Sequence, residues 1–391
     1  MRPPLTSYIV AAALAIGLPL QGQTPSLDSL IANKMAEAGV KGLAAAVIVN
    51  KQVVWMKGFG YADWEQRRPF TPHTIMNVAS VTKPFVGVAL MRAVSEGKLS
   101  LDADINQYLP FRVVNPHRPA ERITLRHLAT HTSGITDRPA IYGQVYQFGR
   151  DPAEPLETFL PAYFTPGGKY YDAENFLTAK PGELREYCNV CAALAGFIVE
   201  RAFGARLDVY TKREIFAPLG MTRTGWFMRD VDMANHSTLF VAQNGMAVPI
   251  LHYGVTTYPD GGVRSSVADL SRFFVAMMND GTVDGVRILD AAAATEMLRF
   301  QFTDASHPTN FPAAEGNSGL FWRTKYNGRL RGHGGNDPGV EIDMLTNESR
   351  SVGVIFLSNT SLSGTDRNAT RAIFDALWKH GEDVRQQQIP R

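Results

Sequence analysis

A serine three residues ahead of a lysine, Ser80-Val81-Thr82-Lys83, is the first group in this chain with the makings of a reaction centre. On a helix, positions three apart share a face, with Cβ atoms about 5–6 Å apart. A serine hydroxyl is a poor nucleophile until a neighbouring base takes its proton. An amine serves as that base when burial or nearby positive charge lowers its pKa. A helix N-terminus adds free backbone N–H groups and the positive end of the dipole, close to where an oxyanion would form. A second copy, Ser95-Glu96-Gly97-Lys98, is set aside because Gly97 marks a helix end, where the serine–lysine geometry would not hold.

Two further groups could complete such a centre. Tyr187-Cys188-Asn189 follows the turn Pro181-Gly182 and directly precedes a helical run. A phenol beside a cationic lysine loses its proton more readily and can act as a general base. Asn189 offers an amide oxygen to the lysine and an amide N–H to a substrate. Gly332-His333-Gly334-Gly335-Asn336 lies between two strand-like runs. Its glycines let the backbone approach a ligand closely, and a strand edge there could hand an N–H to an oxyanion. Taken singly, each group has a plainer reading: a buried tyrosine, a helix-capping asparagine, a glycine turn.

The elements that would hold these groups follow from periodicity and punctuation. A helix is expected over 26–38, ended by Gly39, then strands over 43–49 and 52–59 joined as an antiparallel hairpin across Asn50 and Lys51. A helix over 80–96 with its stop at Gly97 would carry Ser80 and Lys83. Further helices are expected over 189–203, ended by Gly204, and over 266–278, where Ser266 and Asp269 form a capping-box-like start. Strand character returns at 320–326, 340–345 and 352–357. An amphipathic helix over 367–379 follows, then a polar tail over 381–391. This order predicts an α/β (α+β) fold, an antiparallel sheet flanked by helices and built from both chain ends, about 25–99 and 261–380. A mainly helical domain, about 100–260, is inserted between them, and the crevice between the two parts is a natural substrate site.

Composition narrows the partners. The 391 residues are 45% hydrophobic and 19% charged with a formal net charge of +2. That excludes a disordered chain and disfavours nucleic acid or an anionic membrane as main partner. Arg2 followed by the apolar run 8–20 reads as a signal peptide over 1–22, cut near Gly22 or Gln23, with an uncleaved anchor as the alternative. The expected location is therefore periplasmic or secreted, with no membrane contact after cleavage. Cys188 and Cys191 are the two cysteines. They could bridge in an oxidising compartment, but the simpler expectation is two half-buried thiols at a helix start. His127 and His131 sit four apart like helical metal ligands, yet no H-E-x-x-H pattern accompanies them, and neither a metal nor a cofactor is expected. No G-x-S-x-G elbow is present, and Asp63 interrupts a dinucleotide fingerprint at Gly58 and Gly60.

In this order and at these distances, Ser80–Lys83, Tyr187–Asn189 and His333–Gly335 resemble the serine β-lactamase and penicillin-binding-protein superfamily. The likeness is to its class C β-lactamase-like branch, which includes esterases and D-amino-acid peptidases. The stretches from Gly58 to Asp63, Leu125 to Gly134, Pro218 to Met221 and Gly261 to Ser266 match as well, so the resemblance spans about 25–380. It implies a β-lactamase/transpeptidase-like fold. By residue, it implies Ser80 as the acylated nucleophile, Lys83 as its activator, Tyr187 as general base and Asn189 as a lysine and substrate contact. His333, Gly334, Gly335 and Asn336 would line the substrate site, with the N–H groups of Ser80 and Asn336 as the oxyanion hole. The sequence departs from the branch at Cys188, where Ser or Ala is usual, at His333, where a lysine is usual, and at Gly334, where a hydroxyl is usual. A mostly neutral histidine suits an anionic substrate less well than a lysine. The expected substrates are therefore small esters or amides, as for a carboxylesterase or D-amino-acid peptidase. The alternatives are a β-lactamase or DD-carboxypeptidase and, from another class, a non-catalytic ligand- or peptidoglycan-binding protein.

Overall fold

The computed structural model describes residues 26–243, 246–312, 314–362, 364 and 367–388, so the expected signal peptide at 1–22 lies outside the described residues. The first helix, α1 (Leu27–Ala38), is capped by Ser26, whose Oγ accepts from Ser29 N–H, and ends on Gly39 in the left-handed region. Strands β1 (Gly42–Val49) and β2 (Gln52–Asp63) form the expected hairpin. Asn50 and Lys51 both take positive φ there, as a tight type I′ connection requires. A two-residue strand, β3 (Arg68–Pro69), closes that edge.

The C-terminal part supplies β4 (Arg323–Lys325), β5 (Leu330–Asp337), β6 (Val340–Asn347) and β7 (Val352–Ser358). All seven join one sheet in the order β4-β5-β6-β7-β1-β2-β3, and the pairings are antiparallel. Two differences from expectation concern β4 and β5. The strand expected over 320–326 shrinks to three residues, because Phe321 takes a positive φ. The glycine segment from 332 to 336 lies inside an eight-residue strand that is not among the expected ones, which agrees with its reading as a strand edge and not with the plainer glycine turn.

Both faces of the sheet are covered, and β1 at its centre is buried along its whole length. Leu43, Ala45 and Val47 face α1 and the last helix, α5 (Arg367–Gln387), alongside Ile31, Met35, Ile373, Phe374 and Leu377. Ala44, Ala46 and Ile48 face the larger core, which includes α2 (Lys83–Ser95), α3 (Asn189–Phe203) and α4 (Val267–Met278). Each large aliphatic side chain buried there contributes about 1.5–3 kcal/mol. The tail expected from 381 is a correction. α5 continues to Gln387, with Gly381 buried against Val47 and Val352, and the Trp378 indole donates to Glu382. Among the described residues, no strand of the large sheet comes from residues 100–260, which hold short helices, α3 and small two- or three-stranded pairings. Among the described residues, no helix is long and apolar enough to cross a membrane.

Candidate active site

Ser80 does not begin an α-helix as expected. It lies in a 3-10 turn, Ala79–Thr82, and α2 starts only at Lys83. Pro84 accounts for the boundary, since its fixed φ suits the first helical turn and it has no N–H to give back to Ser80. Ala79 takes a φ of 45°, a costly conformation for a residue with a Cβ and one that recurs beside functional groups. Lys83 stands directly under the serine and is wholly buried. Its Nζ lies 3.0 Å from Ser80 Oγ, 2.7 Å from Asn189 Oδ1 and 2.8 Å from the Asp260 carbonyl oxygen.

Asn189 is fixed in turn by Asp137. The Asp137 carboxylate accepts from the Asn189 and Val190 backbone N–H groups at 2.7 and 2.9 Å and from Asn189 Nδ2 at 2.8 Å. One side chain thus caps α3, where a negative charge is favoured, and aims the Asn189 oxygen at Lys83. Burial pushes the Asp137 carboxyl up, against the pull of these N–H donors. Cys188 and Cys191 span the first turn of α3 as a disulfide with Cα atoms 5.2 Å apart. That corrects the expectation of two thiols, and both residues are wholly buried rather than half-buried.

Tyr187 enters from the loop before α3. The centre of its ring is 5.0 Å from Lys83 Nζ, 4.8 Å from Arg323 Cζ and 6.0 Å from Arg185 Cζ. Its hydroxyl is enclosed and makes no hydrogen bond among the described residues. Tyr187 therefore meets Ser80 by way of Lys83, not by a direct bond. His131 lies against the phenol with ring centres 4.4 Å apart. Its Nδ1 accepts the Cys188 N–H at 3.2 Å, and its carbonyl accepts the Glu186 N–H at 2.8 Å, so it grips the chain on both sides of Tyr187. It does so from a φ of 59°. Burial, with Arg185 and Lys83 adding to it, holds this imidazole well below the usual histidine range, so Nδ1 stays an acceptor.

On the sheet side, β4 pairs with β5 only as far as Gly332, which leaves 333–337 without a partner on that edge. The 3-10 turn packs there. A Cβ on Gly335 would stand 2.8 Å from Ser80 N and 2.8 Å from Ala79 Cβ, so only glycine admits this approach. Asn336 follows on the same edge. Gly334 faces the other way, where a Cβ would collide with Asp343 and Lys325, which pair with each other. His333 is fully enclosed, with Nδ1 donating to the Gly334 carbonyl at 2.7 Å and Nε2 unpartnered. Burial, then Arg323 and Lys83, hold it well below the usual range, so it is a neutral wall of the site.

Besides Asp137, sequence reasoning missed four charged groups, Arg323, Arg185, Asp260 and Asp337. Arg323 and Arg185 share one carboxylate, Glu315, and so leave positive charge beside Tyr187. The cation absent at position 333 thus comes from the neighbouring strand, on a side chain that no motif marked. Asp260 and Asp337 lie close to the serine turn: the Asp260 carbonyl accepts from Lys83, and Gly261 stands between Asp337 and Ala79. Burial pushes Asp260 up to about 7 and Asp337 up to about 6, although Lys83 pulls both down. The position of Asp260 one residue before Gly261-Gly262, and of Asp337 one residue after Asn336, was the only available signal.

The chain matches the Beta-lactamase family model over residues 27–377. It is 24% identical over 256 residues to "Protein flp" of Staphylococcus aureus (strain MRSA252), a match covering 65% of this chain and 48% of that protein, so the chain spans about half that relative's length. Among solved structures it is similar to the octameric penicillin-binding protein homologue from Pyrococcus abyssi. That likeness has a TM-score of 0.73 and 29% identity, covering 91% of this chain and 77% of the other. Its fold is also similar to D-amino acid amidase from Ochrobactrum anthropi SV3, with a TM-score of 0.71 and 19% identity, covering 91% and 99%. The family model covers nearly all of the described chain, and the protein belongs to the beta-lactamase family.

Proposed function

We propose that the protein is a serine hydrolase that forms an acyl-enzyme on Ser80 and acts on small esters or amides. The observation that carries this reading is the triple hydrogen bonding of Lys83 to Ser80 Oγ, Asn189 Oδ1 and the Asp260 carbonyl. In the reacting form, in which it has given up one proton, the Lys83 amine has two N–H donors and one lone pair. With Asn189 and Asp260 engaging the donors, the lone pair faces Ser80 Oγ and accepts its proton as Oγ attacks the substrate carbonyl. We assign the resulting oxyanion to the N–H groups of Ser80 and Asn336, which the bare Gly335 lets approach each other. Tyr187, whose hydroxyl makes no hydrogen bond of good geometry among the described residues, passes a proton to the leaving alcohol or amine. Water then attacks the Ser80 ester and gives one proton to the Lys83–Tyr187 pair; as the carbonyl–Oγ bond breaks, the pair returns a proton to Ser80 Oγ, which releases the acid and restores the free serine.

A second reading, a β-lactamase or DD-carboxypeptidase, is favoured by the arginine pair. Arg323 and Arg185 balance one carboxylate with two guanidinium groups, and the surplus positive charge beside Tyr187 suits a substrate carboxylate. The neutral His333 is therefore no argument against anionic substrates. The Cys188–Cys191 bridge supports placing the protein in an oxidising compartment.

The test is covalent. Protein incubated with a fluorophosphonate should carry the adduct on the Ser80 peptide by mass spectrometry, and Ser80→Ala should lose both the adduct and turnover of p-nitrophenyl butyrate. A folded protein with unmodified Ser80, or undiminished turnover in Ser80→Ala, refutes the reading.

A further inference from the structure

Close to the Ser80 turn, two carboxylates and three aromatic rings meet. Asp337 follows Asn336 on β5 and faces the same side of the sheet as Gly335. A Cβ on Gly261 would lie 3.3 Å from Asp337 Oδ2 and 3.8 Å from the carbonyl carbon of Ala79, the residue before Ser80. The absent side chain of Gly261 therefore keeps open the space between Asp337 and the serine turn. Asp260 is only 2% exposed, and its Oδ2 has no hydrogen-bond partner. The Tyr146 hydroxyl donates to Asp337 Oδ1 at 2.9 Å, and the Tyr142 hydroxyl donates to Asp260 Oδ1 at 3.3 Å. The ring centres of Tyr142 and Tyr146 are 6.0 Å apart and those of Tyr146 and Tyr253 are 5.5 Å apart. Phe148, half-exposed, continues this aromatic stripe toward solvent, 5.4 Å from Tyr253.

An enclosed carboxylate such as that of Asp260 is ordinarily matched by a cation, and the part-buried Asp337 stands beside it. Here neither Asp260 nor Asp337 makes an ion pair among the described residues. Lys83, whose charge reaches both, spends its three hydrogen bonds on neutral oxygens. Carboxylate oxygens set among tyrosine faces form the surroundings that hold an ammonium group, through charge-assisted hydrogen bonds and attraction to the ring faces.

We propose that this acidic, aromatic cage is a subsite for a protonated amine on the acyl portion of the substrate, so that the enzyme prefers aminoacyl esters and amides to their deamino counterparts. This inference rests on the Ser80 acyl-enzyme reading. A carbonyl held between the Ser80 and Asn336 N–H groups would turn its α-substituent toward the next residue of the strand, Asp337. The amine would sit between Asp337 Oδ2 and the tyrosine rings, with Asp260 behind them.

The test compares two substrates that differ in one group: phenylalanine methyl ester, each enantiomer separately, and methyl 3-phenylpropanoate, with acid release followed at pH 7. For the wild-type enzyme, kcat/KM should favour one enantiomer of the amino ester by about tenfold or more, and Asp337→Asn should lower that ratio at least about fivefold. Labelling of Ser80 by a neutral fluorophosphonate reports whether each variant has kept its fold. Should Asp337→Asn fail to label, Tyr146→Phe, which removes only the hydroxyl that orients Asp337, is judged by the same ratio. A wild-type ratio near one, or a ratio unmoved in a labelled variant, overturns the ammonium subsite while leaving the acyl-enzyme intact. No turnover of either ester together with an unlabelled Ser80 overturns the acyl-enzyme reading and this inference with it.

Discussion

Replacing Asp260 by asparagine tests the electrostatics of the site through stability. The Asp260 carboxyl is enclosed, and burial raises it from its ordinary 3.8 to about 7, against the opposing pull of Lys83. The folded state therefore holds this proton more tightly than the unfolded chain does. Stability falls as pH rises between the two values and is level above the higher one. A rise of about three pH units corresponds to roughly 4 kcal/mol between the fully protonated and fully ionised limits. Asp260→Asn keeps the shape and cannot ionise, so it should recover most of this at pH 8 and little at pH 4.5. Urea unfolding of wild type and variant at both pH values gives the difference directly. Ionisations common to the two proteins, including those of His131, His236 and His333, cancel in it. The expected result is that the variant gains about 3 kcal/mol on wild type between pH 4.5 and pH 8. A variant-minus-wild-type difference that stays constant with pH would refute the assignment of a costly ionised carboxylate to this position.

Three other outcomes bear on the catalytic apparatus. Tyr187→Phe should lower kcat about 10²-fold with little change in KM, measured on p-nitrophenyl butyrate; an effect confined to KM would reduce Tyr187 to a substrate contact. Asp137→Ala should cost about 1–2 kcal/mol of stability by uncapping α3 and should also depress turnover by releasing Asn189; full activity with the stability loss alone would show that the Asn189–Lys83 bond does not depend on the cap. His131→Asn should retain far more activity than His131→Phe, because asparagine tolerates the left-handed backbone and offers an oxygen to the Cys188 N–H, whereas phenylalanine does neither. Equal activity in the two variants would remove His131 from the positioning of Tyr187.

Where local chemistry dictates structure, the sequence was enough. Ser26 and Gly39 bound α1, the Asn50–Lys51 pair makes the hairpin, and Gly204 stops α3, each through a cap or turn set within a few residues. The strand from 330 to 337 was obscured by its own glycines, which carry no alternation of side chains to reveal a period of two. The pairing of Ser80 with Lys83 was legible from spacing, although the turn between them is 3-10, with Pro84 placing the helix start. Asp137, Asp260, Arg323 and Asp337 had no motif to announce them. Their roles arise from contacts across the fold, such as Asp137 reaching the start of α3, more than 50 positions later. The disulfide went against the simpler expectation because pairing at three-residue spacing depends on a backbone path that residue types do not specify.

The junction of β1 with β7 bears on how the protein comes into being. Gly42 and Asn359, hydrogen-bonded at that seam, are 317 positions apart. A pairing of such long range closes a very large loop and forms slowly compared with neighbouring hairpins. During synthesis the first hairpin must wait, with one side of β1 unpaired, until almost the entire chain has emerged. The 3-10 turn that carries Ser80, packed against Gly335 of β5, cannot reach its place before then. A nascent chain is thereby kept without an assembled Ser80–Lys83 site until its last strands arrive.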